Sequence, residues 1–480
     1  MICIVLRGGA RPPRLGPQFA HAASLNTLLA RTRPSAGSCV AMTLPNRRQT
    51  LAVIGVLAED ADAFMRLALA GRMLKEALAR RPARAALAAS GLAGATRGML
   101  EALVDAALAQ SFELPQFRRR PRRETRLARI DVHGGAQAPD LARCAATARA
   151  ANLARWLTAL PPNRLDAAGY RRVLAALARR CGARLDWYGE GRLRRLGAGA
   201  FLAVAAGNAA RDAGIAHLSW GPSRGRAARA AADIALVGKG ILFDTGGTNL
   251  KPHRSMLDMH TDMAGSAVAL AVLLALADLR IPLRVECWLA ITENRIGPTA
   301  YRPQEVVRAA NGTTIQVIHT DAEGRMALAD TLVLAARRRP RLLLDFATLT
   351  GACVHALTER MSGAFTNRPT LEALLERAGR DSGERVVCFP MDADFDADLE
   401  SHVADVLQCA VEGKGDHILA ARFLQRFVPK DVAWAHVDLA AATRSGGLGH
   451  VTSEITGFGV RFALDLLLDQ KAHSSARSRK

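Results

Sequence analysis

The sequence predicts an α/β protein of two domains. A small N-terminal α/β domain leads through a linking helix to a larger C-terminal α/β domain, whose mostly parallel sheet is wrapped by helices. Three observations carry this. The chain has 480 residues, more than one small core needs. Strand-like and helix-like segments alternate through the second half. The segment "ADIALVGKGILFD" is apolar without alternation, as a strand buried on both faces reads. Half the residues are hydrophobic and 23% are charged, the composition of a folded chain rather than a disordered one.

The elements follow in order. The first 58 residues hold seven arginines and no acid. That is the composition of an organellar transit segment, or of a start placed too early with Met42 as the initiator. Residues 1–45 are therefore expected to be a basic, unstructured extension. The N-terminal domain is expected over 46–137. In it "TLAVIGVLA" reads as a strand, Asp60 to Ala79 as a helix, "TRGMLEALVDAALAQSFEL" as a helix running into a strand, and "RLARIDVHGG" as a strand closed by glycines. The linking helix spans 138–165 and breaks at the paired prolines of "LPPNRLD". The larger domain is expected over 166–470. It opens with a helix capped by Gly182 and the strand "ARLDWYG". After "ADIALVGKGILFD" come the buried helix "DMAGSAVALAVLLALADL", the strands "IPLRVECWLAI" and "TTIQVIHT", the helix "MALADTLVLAARR" and the strand "RLLLDFATL". Residues 471–480 form a basic tail.

The net charge is +21 and the pI about 10.8, a balance that attracts polyanions in general. Arginine drift and dispersed surface charge account for it more simply than a nucleic-acid surface. The densest run, "FRRRPRRETRLAR" from Phe117 to Arg129, has no interleaved aromatic residue and reads as a solvated strand or loop edge. The eight cysteines are scattered without a C-x-x-C pair, which fits reduced thiols in a cytoplasmic protein. The longest apolar run, Ala264 to Ala277, is too short to span a bilayer, so no membrane partner is expected.

Four acids stand at revealing places. Asp244 ends the strand "ILFD" before a Gly-Gly turn, Asp262 precedes the buried helix, and Asp321 and Glu323 lie in "HTDAEGR" between a strand and a helix. Ligands of open α/β sheets sit outside the carboxyl ends of the strands, where these acids would converge. Taken singly, such an acid is most simply a helix cap. Together, in apolar surroundings, four carboxylates repel and protonate unless cations neutralise them. A cluster of hard oxygen ligands suits divalent metal. Seven of the 65 basic residues are lysines, and two of those, Lys239 and Lys251, fall in "VGKGILFDTGGTNLKP". A buried lysine can shed its proton and ligate a metal, which a guanidinium effectively cannot.

The stretches "VGKGILFDTGGTNLKP", "DMAGSA", "HTDAEGR" and "ATLTGA" together resemble the leucyl aminopeptidase family, two-metal peptidases whose type case is a cytosolic hexamer. The match is dense from Val237 to Asn367 and thinner through "AARFLQRFV", "WAHVDLA" and "TGFGVRFALDLL". The N-terminal half matches the family's macro-like domain loosely. The resemblance implies a metal-dependent aminopeptidase with two divalent ions per subunit, manganese or zinc, acting on peptides as a cytoplasmic homohexamer. Lys239, Asp244, Asp262, Asp321 and Glu323 correspond to the metal ligands, with Asp244 and Glu323 bridging. Lys251 and Arg325 correspond to the catalytic positions, Arg325 holding a bicarbonate as general base. Met259, Thr348 and Gly351 fall where the family lines its first substrate pocket. The chain departs from the family at His319, where Asn is usual; at Gln304-Glu305, where Gly-Asp is usual; at "TGFG"; and around Asp416 and His417 in "GKGDHILAARFL". These changes leave the metal set intact and bear on side-chain preference; His319 is expected in a supporting role. Two alternatives remain at this level. One is a DNA-binding role beside or instead of peptidase activity, motivated by the charge. The other is a different two-metal hydrolase such as a phosphatase, disfavoured because no histidine cluster or phosphate-cradling loop is present.

Overall fold

The computed structural model describes the chain except residues 10–12, 121–126, 135–137, 223–231 and 469–480. The basic tail 471–480 and half of the basic run at Phe117–Arg129 lie outside the described residues. The chain divides into two compact units. The first comprises Met1–Asn152 with Gly379–Glu384 and Arg444–Thr456, and the second the remainder, so the boundary at Asn152 falls inside the helix Leu141–Thr158.

The first unit is built on a five-stranded sheet of β1 (Ile2–Arg7), β2 (Cys39–Thr43), β3 (Leu51–Leu57), β4 (Arg84–Ser90) and β5 (Arg129–His133). Its order is β2-β3-β1-β4-β5, and only β2 runs antiparallel to its neighbour. The expected unstructured extension over 1–45 is therefore corrected. Ile2–Arg7 is the central strand, with Cys3, Ile4, Val5 and Leu6 no more than 2% exposed. The arginine-rich, acid-free composition of the segment masked a short apolar run, and it is the run that decides burial. Helix Ala22–Thr32 lays Leu25 and Leu29 against Ile4, Leu6 and Ile54. Helices Ala63–Leu78, capped by Asp62 accepting from Met65 N–H at 2.7 Å, and Thr96–Gln110 supply Leu67, Met73, Leu100 and Leu103 to a second apolar cluster. The strand expected after the latter helix does not form. Ser111 closes the helix onto Ala107 O, and Pro115 has no N–H to give a ladder.

The second unit carries an eight-stranded sheet of β6 (Arg184–Gly189), β7 (Gly214–Trp220), β8 (Ile234–Asp244), β9 (Val285–Asn294), β12 (Leu342–Ala347), β13 (Ser362–Thr366), β14 (Val386–Cys388) and β16 (Ala433–Asp438). A separate small sheet joins β10 (Val306–Arg308), β11 (Thr314–Gln316) and β15 (Val406–Leu407). The large sheet runs β14-β13-β16-β12-β8-β9-β7-β6, and its centre, β16-β12-β8-β9, is parallel throughout. "TTIQVIHT" was expected to strengthen this sheet. Instead only Thr314–Gln316 is a strand, and it belongs to the small sheet; beyond it the Ile318 and His319 N–H groups bond the Gln408 side chain.

Two buried helices cover β8, one on each face. Strand side chains alternate between faces. At Gly238 the backbone of Ser266, in helix Ala264–Asp278, approaches, and at Lys239 the side chain meets Gly324, in helix Glu323–Ala336. Ala264–Asp278 is apolar on all sides and buried in the unit, as expected of a core helix.

Candidate metal centre

Each functional side chain leaves an element end. Asp244 closes β8, Asp262 follows the turn Met259–Thr261, Asp321 and Glu323 mark the entry to helix Glu323–Ala336, and Thr348 follows β12. The Gly246-Gly247 turn runs at φ +86° and +65°, open to glycine at little cost, and it reverses the chain so that Lys251 N–H bonds Thr245 O. That reversal brings Lys251 over Asp244. The result is a cavity of about 400 Å³. Lys239, Asp244, Lys251, Asp262, Asp321, Glu323 and Arg325 all line it, and so do Met259, Thr348 and Gly351.

Inside it the charges interlock. Lys239 Nζ lies 2.7 Å from Asp262 Oδ1 and 3.0 Å from Glu323 Oε1, and donates to Thr348 O at 2.9 Å. Lys251 Nζ lies 2.9 Å from Asp244 Oδ2 and also pairs with Asp321. Four carboxylates face two ammoniums, so negative charge is in excess in a largely buried space. Burial, helped by the charge of Glu323 and Asp244 and opposed by Lys239, pushes the Asp262 carboxyl up to about 7. Burial and Asp244 push Glu323 up to about 7 and Asp321 up to about 6. Both lysines are held above the ordinary ammonium range: burial opposes their charge, but the surrounding carboxylates outweigh it. The expectation that burial lets Lys239 shed its proton is thereby sharpened. Without a bound cation the amine is an ammonium, and it could ligate a metal only after losing that proton.

The residues fit hard divalent cations. Asp244, Asp262 and Glu323 each offer an oxygen within 4.8 Å of the others. Asp262 Oδ2 and Glu323 Oε2 are buried with no hydrogen-bond partner. Buried carboxylate oxygens left so are costly, and a cation satisfies them. Asp262 makes no cap hydrogen bond; helix Ala264–Asp278 has Met263 at its N-cap, and Asp262 instead accepts from Thr348 Oγ1 at 2.7 Å.

Several contributors were not legible in advance. Asn294, at the end of β9, donates to Asp244 Oδ1 at 2.8 Å and to Thr320 O at 3.0 Å, orienting the carboxylate. Gly324 makes room for Lys239: a Cβ there would stand 2.6 Å from Lys239 Cε. Asp438, at the end of β16, accepts from the N–H of Leu349 at 3.1 Å and of Thr350 at 3.4 Å, and from Thr350 Oγ1 at 2.6 Å, pinning the loop that carries Thr348 and Gly351. Their positions at strand ends were the available signal. His319 keeps to the rim: its Nδ1 accepts from Asp321 N–H at 3.3 Å, and burial and Lys251 lower its pKa.

Arg325 departs from what the resemblance implied. It is 2% exposed, and its Nη2 donates to both Asp416 oxygens, at 2.8 and 2.7 Å, while Nη1 donates to Gln408 O at 3.3 Å. The guanidinium expected to hold a free bicarbonate is engaged through Nη2 by a carboxylate of the chain, while its buried Nε has no partner among the described residues.

Residues 152–464 match the model of the cytosol aminopeptidase family, catalytic domain. The probable cytosol aminopeptidase of Chlorobaculum tepidum is 39% identical over 317 residues, covering 66% of this chain and 62% of that protein. The one of Parasynechococcus marenigrum is 37% identical over 396 residues, 79% of this chain and 80% of that protein. The chain spans about three fifths of the length of the first of these curated relatives. Among solved structures, the bottromycin maturation enzyme BotP in complex with Mn superposes with a TM-score of 0.84 at 30% identity over 99% of each chain. A mutant of tomato leucine aminopeptidase gives 0.85 at 26% identity, over 97% of this chain and 93% of that one.

Proposed function

The chain belongs to the cytosol aminopeptidase family, and from that premise we propose that it is a metal-dependent aminopeptidase that removes the N-terminal residue of peptides. The observation that carries this is the meeting of Lys239, Asp244, Asp262, Asp321 and Glu323 in one cavity, with two buried carboxylate oxygens unpartnered. These five residues would hold two divalent ions, manganese or zinc. When bound, the ions supply Lewis acidity for the scissile carbonyl and a water acidic enough to attack near neutral pH.

The chain's own groups do the rest. Lys251, kept protonated by its carboxylate neighbours, presents a compact N–H donor to the oxygen on which charge develops. Met259, Thr348 and Gly351 border the space for the first side chain of the peptide. Asn294 and Asp438 hold Asp244 and the Thr348–Gly351 loop in place, so the acids need not reorganise as the reaction proceeds. Bicarbonate at Arg325 does not enter this reading, because Asp416 already neutralises the guanidinium through Nη2, although Nε is left without a partner among the described residues. A homohexameric, cytoplasmic enzyme is the remaining part of the proposal and follows the family. A nucleic-acid role rests on the net charge of +21 alone; duplex DNA binding that weakens steeply with salt would support it, and no binding at about 50 mM salt would remove it.

Chelation tests the reading. Excess EDTA should abolish release of the amine from aminoacyl amides, and manganese or zinc should restore it. Full turnover in excess EDTA, or no turnover on any aminoacyl amide after metal loading, overturns it.

A further inference from the structure

We propose that Asp416 takes the place of a free oxyanion on Arg325 and is the proton-accepting carboxylate of the hydrolysis. The proposal rests on the aminopeptidase reading above.

The geometry starts from Arg325. A guanidinium that is 2% exposed needs an anion, since an unpaired buried charge is costly. Asp416 supplies it from 91 positions further along the chain, as the first residue of helix Asp416–Gln425. Gly415 before it turns through φ +62°, which points the chain into the helix at that position. A carboxylate is also favoured at the N-terminus of a helix. Both Asp416 oxygens face the same Nη2. An ionised carboxylate has about four acceptor sites, so this contact leaves others unused. The Asp416 side chain is 24% exposed against 2% for Arg325. It is held by Arg325, which lines the cavity, and it keeps part of its own surface in solvent.

The acids that line this cavity are committed. Asp244, Asp262, Asp321 and Glu323 face the lysines and form the proposed cation site, and Asp438 accepts three bonds from the loop at Leu349 and Thr350. Two histidines, His319 and His417, feel the Asp416 charge, so His319 at the rim is the rival base.

The step balances with groups already present. Water oxygen bonds to the scissile carbonyl carbon as one of its O–H bonds breaks and the proton passes to Asp416. The carbonyl π pair moves onto oxygen, to be met by Lys251. On collapse the C–N bond breaks, and Asp416 returns the proton to the leaving nitrogen.

The test is a bicarbonate titration of the manganese-loaded, full-length protein in carbonate-depleted buffer, with an aminoacyl anilide as substrate. The wild-type rate should stay flat as bicarbonate is added. Asp416→Gly should lose about 10²-fold in kcat with KM nearly unchanged, the scale of a general base, and should recover as bicarbonate fills the vacated space. Asp416→Asn should lose as much and not recover, because the amide keeps the space filled. His319→Asn should stay within a few-fold of wild type. Bicarbonate should raise the melting temperature of Asp416→Gly but not of wild type, a readout that needs no turnover. A wild-type rate that climbs with bicarbonate, full activity in Asp416→Gly, or a loss in Asp416→Gly that bicarbonate neither rescues nor answers with a melting shift overturns the proposal. So does a 10²-fold loss in His319→Asn. Should Asp416→Gly fail to fold, the wild-type titration and Asp416→Asn still decide. A wild type inactive on every aminoacyl substrate sinks the aminopeptidase reading instead, and the melting comparison then still reports whether Asp416 fills the Arg325 site.

Discussion

The two units of this chain solve the same packing problem with different interiors. Each stacks helices on a largely parallel sheet. Among the described residues the first unit buries one charged side chain, Asp105. The second buries Lys239, Asp244, Asp262, Glu323, Arg325 and Asp438 around one cavity, and Asp330 and Asp345 besides. Apolar burial alone stabilises a sheet and its helices, so the first interior is what folding requires. The second carries charges that cost free energy unless each is paired. A fold retains them where a cation, a substrate or a reaction needs them, and the contrast marks where the chemistry is.

The sharpest way to break this contrast is to change a charge without changing its sign. Lys239→Arg should abolish aminoacyl-amide turnover and remove one of the proposed ions from the count per chain. The guanidinium cannot become a neutral ligand, and the Lys239 side chain already runs against Gly324 with no room for a Cβ there. Metal analysis of the purified variant checks this, and an unchanged metal content would refute the role given to Lys239. The converse experiment is made in the first unit. Leu103→Ala, in a fully buried position, should cost about 2–5 kcal/mol of stability, since it removes apolar contact and leaves a cavity. Denaturant unfolding measures that cost, and metal content at low temperature should stay at the wild-type value.

A smaller effect separates buried charge that serves the site from buried charge that serves the fold. Asp330 is fully buried and accepts from Phe201 N–H at 2.8 Å and Ala310 N–H at 2.7 Å; burial, opposed by those bonds, pushes its carboxyl up to about 7. Its folded pKa is raised above the ordinary 3.8. The folded chain therefore holds the proton more tightly than the unfolded chain. The associated stability is fully present below the ordinary value and is lost as pH rises through about 7. In that window the slope should approach roughly 1.4 kcal/mol per pH unit. Asp330→Asn should flatten it, whatever it does to stability at any one pH. Thermal melts across the window would show this; an unchanged slope would mean that Asp330 does not titrate there.

Much of the second unit was legible in advance. The unbroken apolar run of β8, the buried helix Ala264–Asp278 and the acids at element ends stand in local patterns of a few residues, which is the scale on which period and turn chemistry operate. The first unit was harder. Ile2–Arg7 is six residues long inside an arginine-rich stretch, and nothing local says that it lies between β3 and β4. The short strand Thr314–Gln316 misled in the opposite direction, because its partners in β10 and β15 are set by tertiary pairing.

By itself the sequence determined the inventory: two lysines where arginine is the rule, four acids at element ends, a glycine pair to turn the chain, and an aspartate at position 416 where the family pattern is broken. Tertiary structure decided who faces whom. Asp262 could have been a cap, but it lies against Lys239 and Thr348. Arg325 could have awaited a free anion, but it meets Asp416. Proton occupancy follows from those meetings, because it depends on burial and on charges a few ångströms away that are remote along the chain. Residue types are local, whereas the field that gives them their chemistry exists only once the chain has closed on itself.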